Sequence, residues 1–133
     1  MSALFADTSF FVAYLSSRDL HHERAKHYML ERNEPIATTQ WILAELGNYL
    51  AETRYRRLFA TLCRELHKEQ RFEIIPADDH SFQLGLDLFA RRPDKQWSFT
   101  DCVSFRLMKQ RKLQEALTSD HHFEQSGFVA LLK

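Results

Sequence analysis

The sequence predicts an α/β fold in which helices cover both faces of a central parallel sheet of about five strands. Short continuous apolar runs alternate with longer segments of helical period, as expected when parallel strands are buried on both faces. A length of 133 residues fits one domain with one core. The composition, 44% hydrophobic and 27% charged, is that of a globular chain, which excludes disordered, collagen-like and disulfide-scaffold classes.

Five apolar runs are the predicted strands. They occupy residues 3–6, 36–38, 72–75, 116–118 and 128–132. All are strand-sized, and none approaches the ~20 apolar residues that a membrane helix needs. We therefore expect a soluble protein with no membrane contact.

Six segments between these runs are predicted helices. The clearest has apolar residues that recur at helical spacing, namely Leu58, Phe59, Leu62, Cys63 and Leu66. The other five cover residues 9–17, 20–32, 40–53, 80–91 and 101–111. Pro35, Pro76 and Pro93 separate several of them, because proline cannot donate to a helix ladder.

Glycine and charge content exclude several functional classes. Gly47, Gly85 and Gly127 are too far apart for a P-loop or a dinucleotide fingerprint, both of which need clustered glycines against phosphate. Lys plus Arg and Asp plus Glu number 18 each, so the chain has no overall cationic bias toward nucleic acid. If four acids hold a metal, as argued next, the remaining residues carry +4, which leaves room for a modest basic surface.

The cysteines and the N-terminus indicate the compartment. Cys63 and Cys102 have no metal-type spacing, and the first residues carry no secretory apolar region. We therefore expect a protein of the reducing cytoplasm.

Carboxylates stand where predicted strands end and helices begin. Asp7 follows the first strand and Asp120 the fourth, and carboxyl ends of parallel strands share one edge of a sheet. Asp101 marks a helix start, and Glu45 lies within the apolar segment 41–46. Because converging carboxylates repel each other, such a cluster calls for a bound cation. Mg²⁺ prefers oxygen ligands and commonly binds carboxylates together with phosphate oxygens, so the predicted substrate is a phosphodiester.

Each acid also has an ordinary structural explanation. Asp7 and Asp120 have the position of helix N-caps, and Asp101 has that of a first-turn acid that favours the helix dipole. Glu45 lies on an apolar helix face where an ionised side chain needs a partner, for which an arginine such as Arg54 is available.

These residues resemble the PIN-domain ribonucleases, and most closely the VapC toxin branch of bacterial and archaeal toxin–antitoxin pairs. The resemblance spans nearly the whole chain and is strongest in segments 5–11, 44–46, 98–105 and 117–123. Each segment alone is common, but their order and spacing together are specific. The resemblance implies a single PIN domain over residues 1–133 with a three-layer α/β/α fold.

The resemblance also implies the site and its chemistry. The acidic positions of the family fall on four residues, Asp7, Glu45, Asp101 and Asp120. They are expected to hold Mg²⁺ or Mn²⁺ and to carry endonucleolytic RNA cleavage that leaves a 5′-phosphate and a 3′-hydroxyl. Asp7 and Asp101 are the firmest metal ligands, and Ser9 and Thr100 fall on polar positions that orient the carboxylates. A homodimer and an antitoxin whose C-terminal tail occupies the groove are the implied partners.

An RNA contact is expected beside the acids. Several cations follow the Glu45 helix, namely Arg54, Arg56, Arg57, Arg64 and Lys68. They fit a phosphate-tracking stripe or an ordinary solvated face, and Arg54 is the best single candidate because it is nearest to Glu45. The expected substrate is RNA, with tRNA or another structured RNA as candidates. Two other functions stay open, a housekeeping RNA-processing nuclease and a catalytically idle PIN-fold scaffold.

Overall fold

The computed structural model of the chain describes residues 2–133, in which strands and helices alternate. The elements in chain order are β1 (Leu4–Ala6), α1 (Thr8–Leu15), α2 (His22–Leu30), β2 (Ile36–Thr39), α3 (Gln40–Leu50), α4 (Arg56–Lys68), β3 (Phe72–Ile75), α5 (Asp79–Arg91), α6 (Phe99–Gln110), β4 (Glu115–Leu117), α7 (His121–Gln125) and β5 (Val129–Ala130).

The five strands form one parallel sheet in the order β3-β2-β1-β4-β5. Because crossovers between parallel strands are right-handed, this order puts α1 to α4 on one face of the sheet and α5 to α7 on the other. The predicted three-layer α/β fold with about five parallel strands is therefore confirmed.

The predicted boundaries fail mainly near the C-terminus. The last strand covers only Val129–Ala130 instead of residues 128–132. The segment His121–Gln125 is a helix that the sequence does not predict, because five residues are too few to show a helical period. No helix within residues 2–133 is long and apolar enough to cross a membrane.

An aromatic stack fixes α6 and α7 on the sheet. The ring of Phe123 lies 4.9 Å from that of Phe105, edge to face, and 6.5 Å from that of Phe5 on β1. Trp97 packs edge-on against Phe105 at 5.1 Å, and its indole N–H donates to Gln125 Oε1 at 3.0 Å. The loop before α6 and the end of α7 are thereby held together.

The helices α5 and α6 approach each other to backbone contact. A Cβ atom on Gly85 would lie 2.3 Å from Val103 Cγ2 and 3.2 Å from Val103 Cα, so only glycine fits without displacement. Arg106 ties the pair further, because its Nη1 donates to Asp87 Oδ2 at 2.6 Å. The position of α6, whose first turn carries Asp101, is therefore fixed.

The strand order locates the functional end of the sheet. After β1 the chain crosses toward β2, and after β4 it crosses the opposite way toward β5. Ligands of open α/β sheets bind outside the carboxyl ends of the strands at such a switch point. Asp7 and Asp120 follow those two strands.

Candidate active site

A pocket of about 480 Å³ opens at this switch point. Its lining includes the four predicted acids. The polar and charged residues of the lining are Asp7, Thr8, Ser9, Asp19, Glu45, Tyr49, Gln96, Ser98, Asp101, Asp120 and His122. Across residues 2–133 the lining contains five carboxylates and no lysine or arginine. The pocket is therefore strongly negative.

Asp7 is the most deeply placed of these acids. It occupies the N-cap position of α1, yet its side chain makes no capping hydrogen bond within the described chain. Its Oδ2 instead accepts hydrogen bonds from Thr118 Oγ1 at 2.9 Å and Ser9 Oγ at 3.2 Å. Burial raises the pKa of Asp7 from 3.8 to about 7, and repulsion from Asp101 and Glu45 acts in the same direction while the Thr118 hydroxyl opposes it.

Hydroxyl groups tie the end of β1 to the end of β4. Thr118 Oγ1 accepts from the backbone N–H of Asp120 at 3.0 Å, and Ser9 Oγ accepts from that of Ser119 at 3.2 Å. Ser9 thus lies where its predicted orienting role requires. Thr118 was not among the predicted site residues, although a polar residue that follows a buried strand just before an acid was a usable signal.

Asp101 combines a capping role with a place in the pocket. Its Oδ2 accepts from the Ser98 backbone N–H at 3.2 Å while Ser98 Oγ accepts from the Asp101 backbone N–H at 3.0 Å. Burial raises the pKa of Asp101, and repulsion from Asp120 adds to this effect, whereas the Ser98 bond opposes it. Thr100 makes no hydrogen bond to the carboxylates among the residues described, so its predicted role has no supporting contact.

Asp120 and His122 complete one side of the pocket. Asp120 caps α7, since its Oδ1 accepts from the backbone N–H of His122 at 2.9 Å, and the capping explanation therefore holds alongside a role in the site. His122 Nδ1 lies 3.4 Å from that same oxygen and 3.3 Å from Asp101 Oδ2, so the ring bridges two acids. The side chains of Asp120, His121 and His122 offer ligand atoms within 4.8 Å of one another. His122 was not among the predicted site residues.

Glu45 lines the pocket, but the expectation that it is buried was wrong. It is exposed on α3, while Leu46 and Leu50 on the core-facing side are 0% and 3% exposed. The helical turn separates these two faces. Glu45 Oε1 accepts from Thr8 Oγ1 at 2.5 Å, and within residues 2–133 it forms no ion pair with Arg54.

Arg54 lies outside the pocket lining. Its guanidinium stacks over the ring of Tyr55, with Cζ 5.1 Å from the centroid, and Nη2 donates to the Tyr55 hydroxyl at 3.0 Å. A role for Arg54 in RNA contact stays a prediction.

The donor set of the pocket fits a hard divalent cation. The carboxylates of Asp7, Asp101, Asp120 and Glu45 line one pocket, and lysine and arginine are absent from its described lining. The pKa values of Asp7 and Asp101 are raised first by burial and further by repulsion, from Asp101 and Glu45 on Asp7 and from Asp120 on Asp101. A cation would relieve that repulsion, and carboxylate oxygens are the ligands that Mg²⁺ prefers in proteins.

The chain is similar in sequence and in fold to known proteins. The PIN domain family profile matches residues 4–129. The 23S rRNA-specific endonuclease VapC20 of Mycobacterium tuberculosis is 28% identical over 127 residues, which is 95% of either chain.

Three solved structures share the fold. The crystal structure of Mycobacterium tuberculosis VapC20, described as a sarcin-ricin loop cleaving toxin, has a TM-score of 0.83 at 23% identity, covering 95% of this chain and 96% of that one. VapBC2 from Rickettsia felis, bound to a DNA fragment from their promoter, has a TM-score of 0.67 at 15% identity over 96% of both chains. FitAcB from Neisseria gonorrhoeae has a TM-score of 0.65 at 19% identity, covering 96% of this chain and 94% of that one.

Proposed function

We propose that this chain, which belongs to the PIN domain family, is a metal-dependent endoribonuclease of the VapC toxin type. The family resemblance predicted from the residues is confirmed, since the profile covers residues 4–129 and VapC20 matches 95% of the chain. One observation carries the proposal, namely a switch-point pocket lined by five carboxylates without lysine or arginine in the described chain. Such a pocket attracts a phosphodiester only together with a cation.

The proposed ligands of the cation are the four predicted acids, Asp7, Glu45, Asp101 and Asp120. When bound, Mg²⁺ or Mn²⁺ supplies charge neutralisation for the scissile phosphate and lowers the pKa of the attacking water. Asp7 and Asp101 are proposed as the firmest ligands because fixed donors hold their oxygens, Thr118 for Asp7 and Ser98 for Asp101. Donors of this kind keep ligating oxygens in place and commonly affect affinity strongly.

Glu45 is suited to orient the attacking water. It is exposed to the pocket, and Thr8 holds one of its two carboxylate oxygens. The attack on phosphorus leaves a 5′-phosphate and a 3′-hydroxyl without using the RNA 2′-hydroxyl. A histidine base is not needed, and His122 is engaged by Asp101 and Asp120.

The first candidate substrate is 23S rRNA. This choice rests on VapC20, which is named for that specificity and matches the chain over 95% of its length. Transfer RNA and other structured RNAs are the next candidates.

An antitoxin is the proposed inhibitor. The negative pocket fits an arginine or lysine from the tail of such a protein. A separate groove of about 410 Å³ between α2 and α4, lined among others by Leu30, Leu58 and Leu62, fits the apolar face of a partner helix. Copurification of the chain with the product of a small adjacent reading frame tests this partner.

A homodimer is proposed through the exposed face of α5. Phe82, Leu86 and Phe89 follow one another at helical spacing and are 38%, 42% and 48% exposed. The rings of Phe82 and Phe89 form one aromatic cluster with those of Trp41 and Phe99. Light scattering of the purified chain and of Phe89→Glu measures the expected loss of the dimer.

Cleavage of a labelled RNA panel tests the function. Purified protein, free of antitoxin, is mixed with ribosomal RNA and tRNA in Mg²⁺, Mn²⁺ or EDTA, alongside Asp101→Asn. We expect cleavage only with metal and only by the unmodified chain. Failure of the folded protein to cut any RNA would favour the idle scaffold, and cleavage confined to precursor RNAs would favour a processing nuclease.

A further inference from the structure

A basic cleft of about 740 Å³ adjoins the acidic pocket on the α5–α6 face. Its charged lining residues are Arg91, Arg92, Arg106, Lys109 and Lys112, and no carboxylate lines it among the residues described. We propose that this basic cleft binds the RNA phosphate backbone that flanks the scissile bond. The proposal rests on the proposed ribonuclease function and assigns its substrate-binding surface.

The acidic pocket and the basic cleft are lined by neighbouring residues of one chain segment, 96–98. Gln96 and Ser98 line the acidic pocket, and Trp97 between them lines the basic cleft. Residues two apart in sequence lie at most about 7 Å from each other. An RNA strand that leaves the acids along this wall therefore enters the cleft at its Trp97 end and reaches Lys109 farther on, since that residue lies about 12 Å along α6 from Asp101. Continuity with a phosphodiester site favours RNA over an acidic protein.

The arginines of the cleft keep an excess of positive charge. Asp87 pairs with both Arg91 and Arg106, at 2.9 and 2.6 Å. Asp94 pairs with Arg92 at 2.9 Å. Two carboxylates therefore neutralise only part of the positive charge of three arginines, and these ion pairs also hold the guanidinium groups in place. Arginines held in this way are suited to contact phosphate oxygens without reading bases.

The two lysines supply the free cations of the cleft. Lys109 and Lys112 are exposed and form no ion pair within residues 2–133. Lys112 has a φ of 59°, a left-handed conformation just after the end of α6 that favours glycine. The backbone at this position favours glycine, although the residue is a lysine. The substitution Lys112→Gly therefore removes the charged side chain and also relieves the strain of the left-handed backbone conformation.

Trp97 supports cations at the boundary with the acidic pocket. Arg92 Cζ lies 5.2 Å and Lys95 Nζ 5.9 Å from its ring centroid, within the range of cation–π attraction. The indole is only 6% exposed, so it is no platform for a stacked base. Its role is to hold these two positive groups beside the path of the strand.

The test compares RNA binding by matched charge variants. Lys109→Ala/Lys112→Gly is made in an Asp101→Asn background, which prevents cleavage, and binding of a fluorescein-labelled uridine oligonucleotide is measured by anisotropy across a salt series. Each lost phosphate contact lowers the magnitude of the slope of log K against log salt by roughly 0.7. We expect a decrease of about 1.4 for the double variant, together with weaker binding at every salt concentration.

The control removes the same charge elsewhere. Arg24→Ala/Lys26→Ala deletes two exposed cations of α2, a helix that lines neither the acidic pocket nor the basic cleft. We expect its slope to match that of the parent. An unchanged slope in the cleft variant, or an equal decrease in the α2 variant, would overturn the proposal. Lys112→Gly alone provides a second variant, expected to keep or raise the thermal midpoint while lowering the slope by about 0.7.

Cleavage kinetics separate this proposal from the proposed function. With Asp101 intact, the cleft variant is expected to raise KM for RNA and leave kcat close to the parent value. If the parent cleaves RNA and the variant has the same KM, the basic cleft proposal fails and the ribonuclease stands. If the folded parent neither binds nor cleaves RNA, the proposed function itself fails.

Discussion

Replacing Asp7 with Asn is expected to stabilise the metal-free protein while removing its activity. Asp7 is 5% exposed, and burial raises its pKa from 3.8 to about 7. The folded protein therefore holds this proton more tightly than the unfolded chain does. Stability from this group is fully present below pH ~4, and it is lost as the pH rises through about 7, where the buried carboxylate ionises.

The size of the effect follows from that difference. Each pKa unit corresponds to about 1.4 kcal/mol, so the ionised Asp7 costs about 4 kcal/mol of stability above neutral pH. Asn keeps one oxygen to accept from Thr118 and Ser9 but adds an amide that needs its own partner, at a cost of about 1–3 kcal/mol. The expected net gain is about 1–3 kcal/mol, or roughly 3–10 °C in Tm.

Thermal unfolding in EDTA across pH 5 to pH 8 measures this gain. Asp7→Asn should unfold at a higher temperature than the parent at the alkaline end, and the difference should vanish or reverse at the acidic end. Adding Mn²⁺ at the alkaline end should stabilise the parent and leave Asp7→Asn unchanged. Glu45→Gln is the matched control, because it removes a carboxylate of the same pocket that is exposed and should change Tm little. A lower Tm for Asp7→Asn than for the parent at pH 8 would refute the reasoning.

Three further substitutions test the pocket and its support. Gly85→Ala should destabilise the protein by about 1–3 kcal/mol in urea unfolding, since the new Cβ would meet Val103 at 2.3 Å, and an unchanged midpoint would contradict this packing. His122→Ala should weaken Mn²⁺ binding by about 10–100-fold in calorimetry, because its ring bridges two of the acids, and unaltered affinity would remove it from the site. Thr118→Val should cost about 1–3 kcal/mol in urea unfolding at pH 8, where Asp7 is ionised and loses a donor at 2.9 Å; equal stability would show that the bond contributes nothing.

The fold and the location of the acids at one end of the sheet could be predicted because both follow from short-range sequence features. Asp7 and Asp120 come directly after buried apolar runs, and the carboxyl ends of parallel strands meet at one edge whatever the details of packing. Spacing and proline predicted the six longer helices, but some ends are off by up to three residues, as in the predicted 40–53 against Gln40–Leu50. The helix His121–Gln125 could not be predicted, because its five residues are too few to show a helical period.

Features that depend on three-dimensional packing were not predictable in the same way. Glu45 was expected to be buried among apolar neighbours, but a turn of helix places it on the open side while Leu46 faces the core. Thr118 acts through a contact with Asp7, which is 111 residues away in sequence.

The basic cleft is a second case of this kind. Its cations come from the ends of α5 and α6, and the sequence analysis favoured the cations after Glu45 because they are close in sequence. Proximity along the chain did not bring Arg54 into the acidic pocket.

The most direct test of the central claim measures Mn²⁺ binding and RNA cleavage in one titration. Bound Mn²⁺ is followed by electron paramagnetic resonance and cleavage by gel, for the unmodified chain and for Asp101→Asn. The account predicts that cleavage rises with occupancy of one class of Mn²⁺ site and that the substitution abolishes both. Cleavage that persists in EDTA, or that survives in Asp101→Asn after Mn²⁺ binding is lost, would contradict it.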